Sequence, residues 1–270
     1  MPNIDQLIFG TAGLSALPTQ AYAMRLLEEA YAGGIRHFDT APLYGQGYAE
    51  WVLGRFLSRK SADARVTGKF GMAGGVSPRL DPRLAMPLNH FKKKYLSAHP
   101  HPKPAAGEPD RSPLPARRIT REQVETSFKG SLNRLGCDRF DCYMIHEGLP
   151  AFLDDDARSW LLRQQSAGRI GSLGVAVRGY ALLDLSSADL EGFQILQYEA
   201  GSIFEVLMAR HPGKRHFLHS CFSERSLKES SLLPSGALSH WADRNPAGKL
   251  LFFTRRPAVL RENIAPFQIK

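Results

Sequence analysis

The sequence predicts an α/β protein of the (β/α)8 TIM barrel class, and three observations carry that expectation. Short apolar runs alternate with stretches of helical periodicity, the pattern of βα units around a parallel sheet. The 270 residues match the roughly 250 that a single eight-fold barrel needs. Polar side chains also recur where successive strands end, and in such a barrel all those ends open on one face. Residues 1–270 are therefore read as one domain, and a hydrophobic content of 43% supplies its core.

The elements follow in order. Leu7 to Gly13 reads as a first strand with a glycine-containing exit. Thr19 to Ala32 has helical spacing, with Ala23, Leu26, Leu27 and Ala30 on one face, and stops at Gly33-Gly34. Arg36 to Thr40 predicts strand two and Gly47 to Leu57 a helix. Ala64 to Thr67 leads strand three into Lys69. From Gly71 to about Arg118 the rhythm breaks into a Gly-, Pro- and Lys-rich connection, longer than the ~15 residues usual in compact domains. Thr120 and Gln123 form a capping-box signature for a helix that runs to Leu135. Arg139 to Ile145 predicts strand four, ending at His146. Asp155 to Ala167 predicts a helix, and Ser172 to Val177, Phe193 to Tyr198, His216 to Cys221 and Leu250 to Phe253 complete eight strands. A last helix starts near Pro257. The Ser-rich segment between strands seven and eight gives the weakest helical signal.

The chain carries 35 Lys/Arg against 26 Asp/Glu. Part of the excess is concentrated between Asn89 and Arg118, where seven basic residues meet only Glu108 and Asp110. That local bias fits an anionic substrate or a solvated loop better than a nucleic-acid face, and no nucleic-acid-binding signature is visible. Cys137, Cys142 and Cys221 have no metal spacing, and an odd number suits a reducing compartment. No signal peptide or long apolar run is present, so a cytoplasmic location without membrane or nucleic-acid partners is expected. His99 and His101, two histidines in a loop, are discounted as a metal site.

Four polar residues stand at or just past successive strand ends: Asp39, Tyr44, Lys69 and His146. A tyrosine hydroxyl near pKa ~10 is a poor acid or base at neutral pH, and a nearby ammonium favours the tyrosinate. Asp39 can keep Lys69 charged and in place, while His146 can orient a substrate oxygen. Such a group suits general acid catalysis to an alkoxide forming from a carbonyl. It has no electron source of its own, so hydride must come from a cofactor. Singly, the Asp reads as a cap or ion-pair partner, the Tyr as packing and the His as structural. Their order at successive strand ends favours the joint reading.

The stretch Gly34-Ile-Arg-His-Phe-Asp-Thr-Ala-Pro-Leu-Tyr-Gly45, followed by Glu50 and Leu53-Gly54, resembles the strand-two signature of the aldo-keto reductase family. Ser131 to Asp138 and Asp141 to His146 resemble its helix-three to strand-four signature. Gly168-Arg-Ile-Gly171 with Gly174-Val175, and Phe252 through Asn263, match its fifth strand and its last strand and helix. The resemblance implies Tyr44 as general acid/base supported by Lys69 and Asp39, with His146 orienting the carbonyl. It also implies NADP (NADPH) as cofactor. Gly10, Thr11 and Asp39 would lie against it, Gln197 would bond the nicotinamide carboxamide and Ser220 would approach the pyrophosphate. Thr254, Arg255 and Asn263 would hold the adenosine end, with Arg256 either beside them or facing solvent. Guanidinium groups at a helix start suit a 2′-phosphate.

The pattern departs from the family in three places. Ala176-Val177 replaces the usual Ser-Asn pair that contacts the carboxamide. His219 replaces the stacking aromatic of strand seven and reads equally as a buried structural histidine. The segment Phe222 to Lys249 is short. Lys92 to Lys94 and Arg117-Arg118 either meet an anionic substrate or are solvated. The leading expectation is NADPH-dependent reduction of a small-molecule aldehyde or ketone, or the reverse alcohol oxidation. A redox-neutral biosynthetic enzyme on the same scaffold and a non-catalytic cofactor-binding protein are the alternatives.

Overall fold

The computed structural model describes residues 2–59, 63–72, 114–115 and 117–268. Eight strands close into a parallel barrel in sequence order: β1 (Leu7–Gly10), β2 (His37–Asp39), β3 (Arg65–Phe70), β4 (Phe140–His146), β5 (Ile170–Ala176), β6 (Ile195–Glu199), β7 (Arg215–His219) and β8 (Lys249–Phe252). Pairing of β1 with β8 completes the ring. The described α-helices are α1 (Gln20–Ala32), α2 (Tyr48–Leu57), α3 (Arg121–Leu135), α4 (Asp155–Ser166), α5 (Ile203–Arg210), α6 (Glu224–Glu229), α7 (Ala237–Arg244) and α8 (Pro257–Ile264).

Local chemistry sets the helix ends. Thr19 accepts the Tyr22 amide at the start of α1. Thr120 and Gln123 form the expected reciprocal capping box at α3, and Gly136 ends that helix in the left-handed region at φ 64°, where a side chain is disfavoured. Gly54 has a packing role instead. A Cβ there would lie 2.5 Å from the Arg134 carbonyl oxygen, so glycine lets α2 and α3 approach closely. Glu50, fully buried, crosses the same seam and accepts Arg134 Nε at 2.6 Å.

Alternation along each strand divides the core. Phe9, Phe38, Tyr143, Leu173, Leu196 and Leu218 face the helices in one large cluster. Ile8, Cys142, Met144, Ala176, Ile195 and Phe217 fill the barrel interior. The interior is therefore packed, and function is left to the rim.

The segment with the weakest helical signal is helical. The segment between β7 and β8 folds into α6 and α7, tied by Trp241 Nε1 donating to Ser226 Oγ at 3.2 Å. After β5 the described chain makes a 3-10 turn over Gly179–Leu182. The basic stretch that includes Lys92 to Lys94, His99 and His101 lies outside the described residues. All three cysteines are free thiols, and no described helix is long and apolar enough to cross a membrane.

Candidate active site

The C-terminal ends of β2, β3 and β4 bring Asp39, Lys69 and His146 to one rim, and the turn after β2 returns Tyr44 to them. Lys69 Nζ donates to Asp39 Oδ1 at 2.5 Å and to Tyr44 Oη at 3.1 Å. The Tyr44 ring meets the His146 ring edge to face, centroids 5.8 Å apart. The four residues expected to act together are thus in contact.

Asp39 is fixed from several sides. Thr11 sends both its amide and its hydroxyl to the Asp39 carbonyl, each at 2.9 Å. Gln197, on β6, donates its side-chain amide to Asp39 Oδ2 at 3.1 Å. Each carboxylate oxygen therefore has a donor, as a buried charge requires. Thr11 is fully buried and Gln197 nearly so. Thr11 fixes the Asp39 backbone and Gln197 its carboxylate, roles that spacing in the sequence does not reveal. Gly10 stands in register with Asp39 on the neighbouring strand.

Electrostatics sort the protonation states. Burial is the largest influence on Lys69 and opposes its charge, but Asp39 and Tyr44 together outweigh it and raise its pKa above the ordinary lysine value. Burial also raises the Tyr44 hydroxyl, and this exceeds the lowering by the Lys69 ammonium. Lys69 thus acts on the phenol in the expected direction, but burial outweighs it and Tyr44 is held protonated. Burial drives His146 well below the usual imidazole range, helped by Lys69, Arg117 and His219. His146 is accordingly neutral and able to hydrogen-bond a carbonyl oxygen. Burial, then Lys69, lower His219 to about 4, so this residue is an uncharged ring at the end of β7. Its Nδ1 lies 2.8 Å from Ser220 Oγ, and Ser220 adopts φ 58°.

Farther round the rim, the exposed Arg255 and Arg256 precede Pro257, the first residue of α8. The Tyr22 hydroxyl donates to the Arg255 carbonyl at 2.9 Å, and Thr254 Oγ1 accepts the Arg256 amide at 3.3 Å. Asn263 is half-buried on α8. Neither Arg255 nor Arg256 makes an ion pair among the described residues, which leaves both guanidinium groups available to an anion. At the other end, Ala176 and Val177 offer no polar side chain and are buried, and the Gln197 amide is engaged by Asp39.

Arg117 and Arg118 line one surface cavity beside Ala151 to Asp156, but their side chains take different partners. Arg118 reaches Asp154 at 3.3 Å on the surface. Arg117 turns inward, and its Nη2 donates to the carbonyls of His146 and Glu147 at 2.8 and 2.6 Å. Isolated basic residues in a charged stretch gave no signal of this. The segment between β7 and β8 is anchored by another network missing from the sequence reading. Arg225 pairs with Glu199 at 3.4 Å and Glu229 at 3.8 Å, while those carboxylates accept the Gly179 and Ser202 amides.

Comparisons with known proteins bear on the fold and the family. Pyridoxal 4-dehydrogenase of Microbacterium luteolum is 28% identical over 209 residues, covering 70% of this chain and 57% of the relative. D-threo-aldose 1-dehydrogenase of a Pseudomonas species is 33% identical over 131 residues, covering 46% and 33%. The chain thus spans less than two thirds of the length of these curated relatives. Among solved structures, the holo form of aldo-keto reductase AKR11C1 from Bacillus halodurans superposes with a TM-score of 0.68 at 16% identity, covering 98% of this chain and 87% of that one. The glycerol dehydrogenase AKR11B4 from Gluconobacter oxydans does so with a TM-score of 0.65 at 15% identity, covering 98% and 86%. Those two likenesses concern the fold. Residues 6–199 match the profile of the Aldo/keto reductase family, and the chain belongs to that family.

Proposed function

We propose that this protein catalyses NADPH-dependent reduction of a small-molecule aldehyde or ketone, or the reverse oxidation, with Tyr44 as the general acid/base. The observation that carries the reading is the contact chain Asp39–Lys69–Tyr44 with His146 against the tyrosine ring. A protonated Tyr44 beside a neutral His146 is a proton donor beside a hydrogen-bond donor, the pairing a developing alkoxide needs. As negative charge grows on the substrate oxygen, the Tyr44 hydroxyl gives up its proton. Lys69 stabilises the phenolate left behind, and Asp39 keeps the ammonium charged and aimed.

NADPH, when bound, supplies the hydride. The residues fit that cofactor unevenly. Arg255, Arg256 and the start of α8 form a cationic cradle for its phosphate end, next to Thr254 and Asn263. His219 offers an uncharged imidazole face and Ser220 a hydroxyl nearby. The carboxamide end has only Gln197, and that side chain would have to share its amide with Asp39. The substrate class that this site suits is a carbonyl compound. Dehydrogenase activities named for the two relatives, on pyridoxal and on D-threo-aldoses, are consistent with that class.

The altered carboxamide end favours a second reading, a redox-neutral reaction in which the cofactor turns over without net consumption. Titrating NADPH while following nicotinamide fluorescence, then recording its absorbance during turnover with 4-nitrobenzaldehyde, separates the two. Stoichiometric loss of reduced cofactor with loss of activity in Tyr44→Phe is the expected result. Full turnover by Tyr44→Phe would remove Tyr44 from the acid's role. Binding of NADPH without its consumption across a panel of aldehydes and ketones would favour the redox-neutral reading.

A further inference from the structure

Strand β3 pairs with β4 as far as the Phe70–Ile145 rung. His146 lies one residue farther, where that side of β4 has no strand partner. On the opposite side the ladder continues, and the Glu147 amide donates to the Ala176 carbonyl at 2.8 Å. Beyond this point the chain turns sharply, with Glu147 in the left-handed region at φ 49°, which a residue with a side chain adopts only under constraint.

Arg117 fills the gap. A single nitrogen, Nη2, bridges the carbonyl oxygens of His146 and Glu147. The guanidinium is held in turn by its own segment. Two residues on, Ile119 forms a parallel bridge to Leu153, with its amide donating to the Phe152 carbonyl at 2.7 Å and its carbonyl accepting the Asp154 amide at 3.1 Å. Packing is close on the other flank: a Cβ on Gly148 would lie 3.0 Å from Arg117 Nη2. Arg117 Nε is buried without a hydrogen-bond partner, which costs stability. The two carbonyl bonds offset that cost and give the buried position its rationale.

We propose that Arg117 is a positioning residue of this active site, pinning the backbone where β4 ends so that His146 is held against Tyr44. The proposal rests on the reading of Tyr44 and His146 as the carbonyl-binding pair. The guanidinium never needs to touch substrate. It fixes the peptide that carries the imidazole, and a misplacement of about 1 Å in such a group can cost on the order of a hundred-fold in rate. The titratable groups facing His146 are the charged Lys69 from β3 and Arg117 from its own segment and the neutral imidazole of His219 from β7, so loss of the Arg117 charge alone has a defined sign at the imidazole.

The test uses the full chain with Arg117→Met, close in length but uncharged, and Arg117→Lys, which keeps the charge. Two readouts are followed: the His146 imidazole by NMR titration, and kcat and KM with NADPH and 4-nitrobenzaldehyde. Arg117→Met is expected to lower kcat about ten-fold or more with KM for NADPH within about two-fold, an energetic change of roughly 1.4 kcal/mol or more. It should also raise the His146 pKa and move its ring resonances. Arg117→Lys should restore the titration while recovering kcat only in part. Wild-type kcat in Arg117→Met, or a fall in kcat with the His146 resonances and titration unchanged, overturns the proposal. If the wild-type protein reduces no aldehyde, the functional reading fails. The NMR arm still decides whether Arg117 positions His146, because it needs no turnover, and Arg117→Lys serves should Arg117→Met not fold.

Discussion

Gln197 donates to Asp39 Oδ2 at 3.1 Å from a strand 158 residues away in sequence, on the carboxylate whose other oxygen holds Lys69. The bond joins β2 to β6 and makes the glutamine a support of the carboxylate proposed to hold Lys69 in the site. A hydrogen bond to a buried charge contributes about 1.5–3 kcal/mol. Gln197→Met is expected to lower unfolding stability by that amount, read from urea denaturation midpoints at constant m. Gln197→Glu should lose more at neutral pH, because a second carboxylate would face Asp39 and one of the two must take up a proton. Equal midpoints for wild type and Gln197→Met would show that the bond contributes nothing in solution.

Tyr44 gives a pH prediction with a definite direction. Burial holds its hydroxyl above the ordinary value of 10.0 despite Lys69, so the acid form persists through neutral pH. Carbonyl reduction should therefore be flat across neutral pH and decline only on the alkaline side, as the phenol loses its proton. Lys69→Met removes the one nearby ammonium that lowers Tyr44, so the surviving activity should show its alkaline limb displaced to higher pH. Tyr44→Phe should lose about 10²–10⁴-fold in kcat while retaining NADPH fluorescence changes. A decline near neutral pH in the wild type would argue against Tyr44 as the titrating acid.

The barrel and the identity of the four rim residues were legible because both depend on local pattern. Strand ends follow apolar runs, and Asp39 and His146 close theirs while Lys69 stands one residue before the end of β3. The capping box at Thr120 is likewise a four-residue signal. What was hidden depends on closure of the barrel. The Gln197–Asp39 bond joins strands distant in sequence, and no local pattern around Gln197 points to Asp39. The balance of burial against Lys69 at Tyr44 is a difference of opposed effects that residue spacing cannot weigh. Arg117 looked like one charge in a basic run, and only its return beneath the end of β4 distinguishes it from Arg118.

Acid should destabilise this fold through its buried histidines. Burial, with Lys249, Arg65 and Arg215 nearby, holds His37 well below the usual range. Burial also lowers His216. Both are at most 2% exposed. In the unfolded chain each titrates near ~6.5, so below that pH the unfolded state binds more protons and stability falls. The contribution is complete above about pH 6.5 and declines by up to ~1.4 kcal/mol per unit per histidine as pH drops toward the folded-state values. His37→Gln, which retains a donor toward Thr67, should flatten the dependence measured by urea unfolding. An unchanged slope would remove His37 from the acid response.

Cofactor choice is the sharpest remaining test of the phosphate end. Arg255 and Arg256 stand exposed before α8, and a guanidinium can form paired hydrogen bonds with phosphate oxygens. NADPH and NADH differ at the 2′-phosphate, so a contact there must show as a difference between the two. Arg255→Ala is expected to weaken NADPH about ten-fold, close to 1.4 kcal/mol, while leaving NADH within about two-fold. Arg256→Ala, measured in parallel, reports whether the second guanidinium shares the phosphate or faces solvent. The affinity difference should shrink as salt rises if the contact is electrostatic and partly exposed. Equal weakening of both cofactors by Arg255→Ala would mean that the residue supports α8 or the pyrophosphate. The preference for NADPH would then have to be sought in other residues or abandoned.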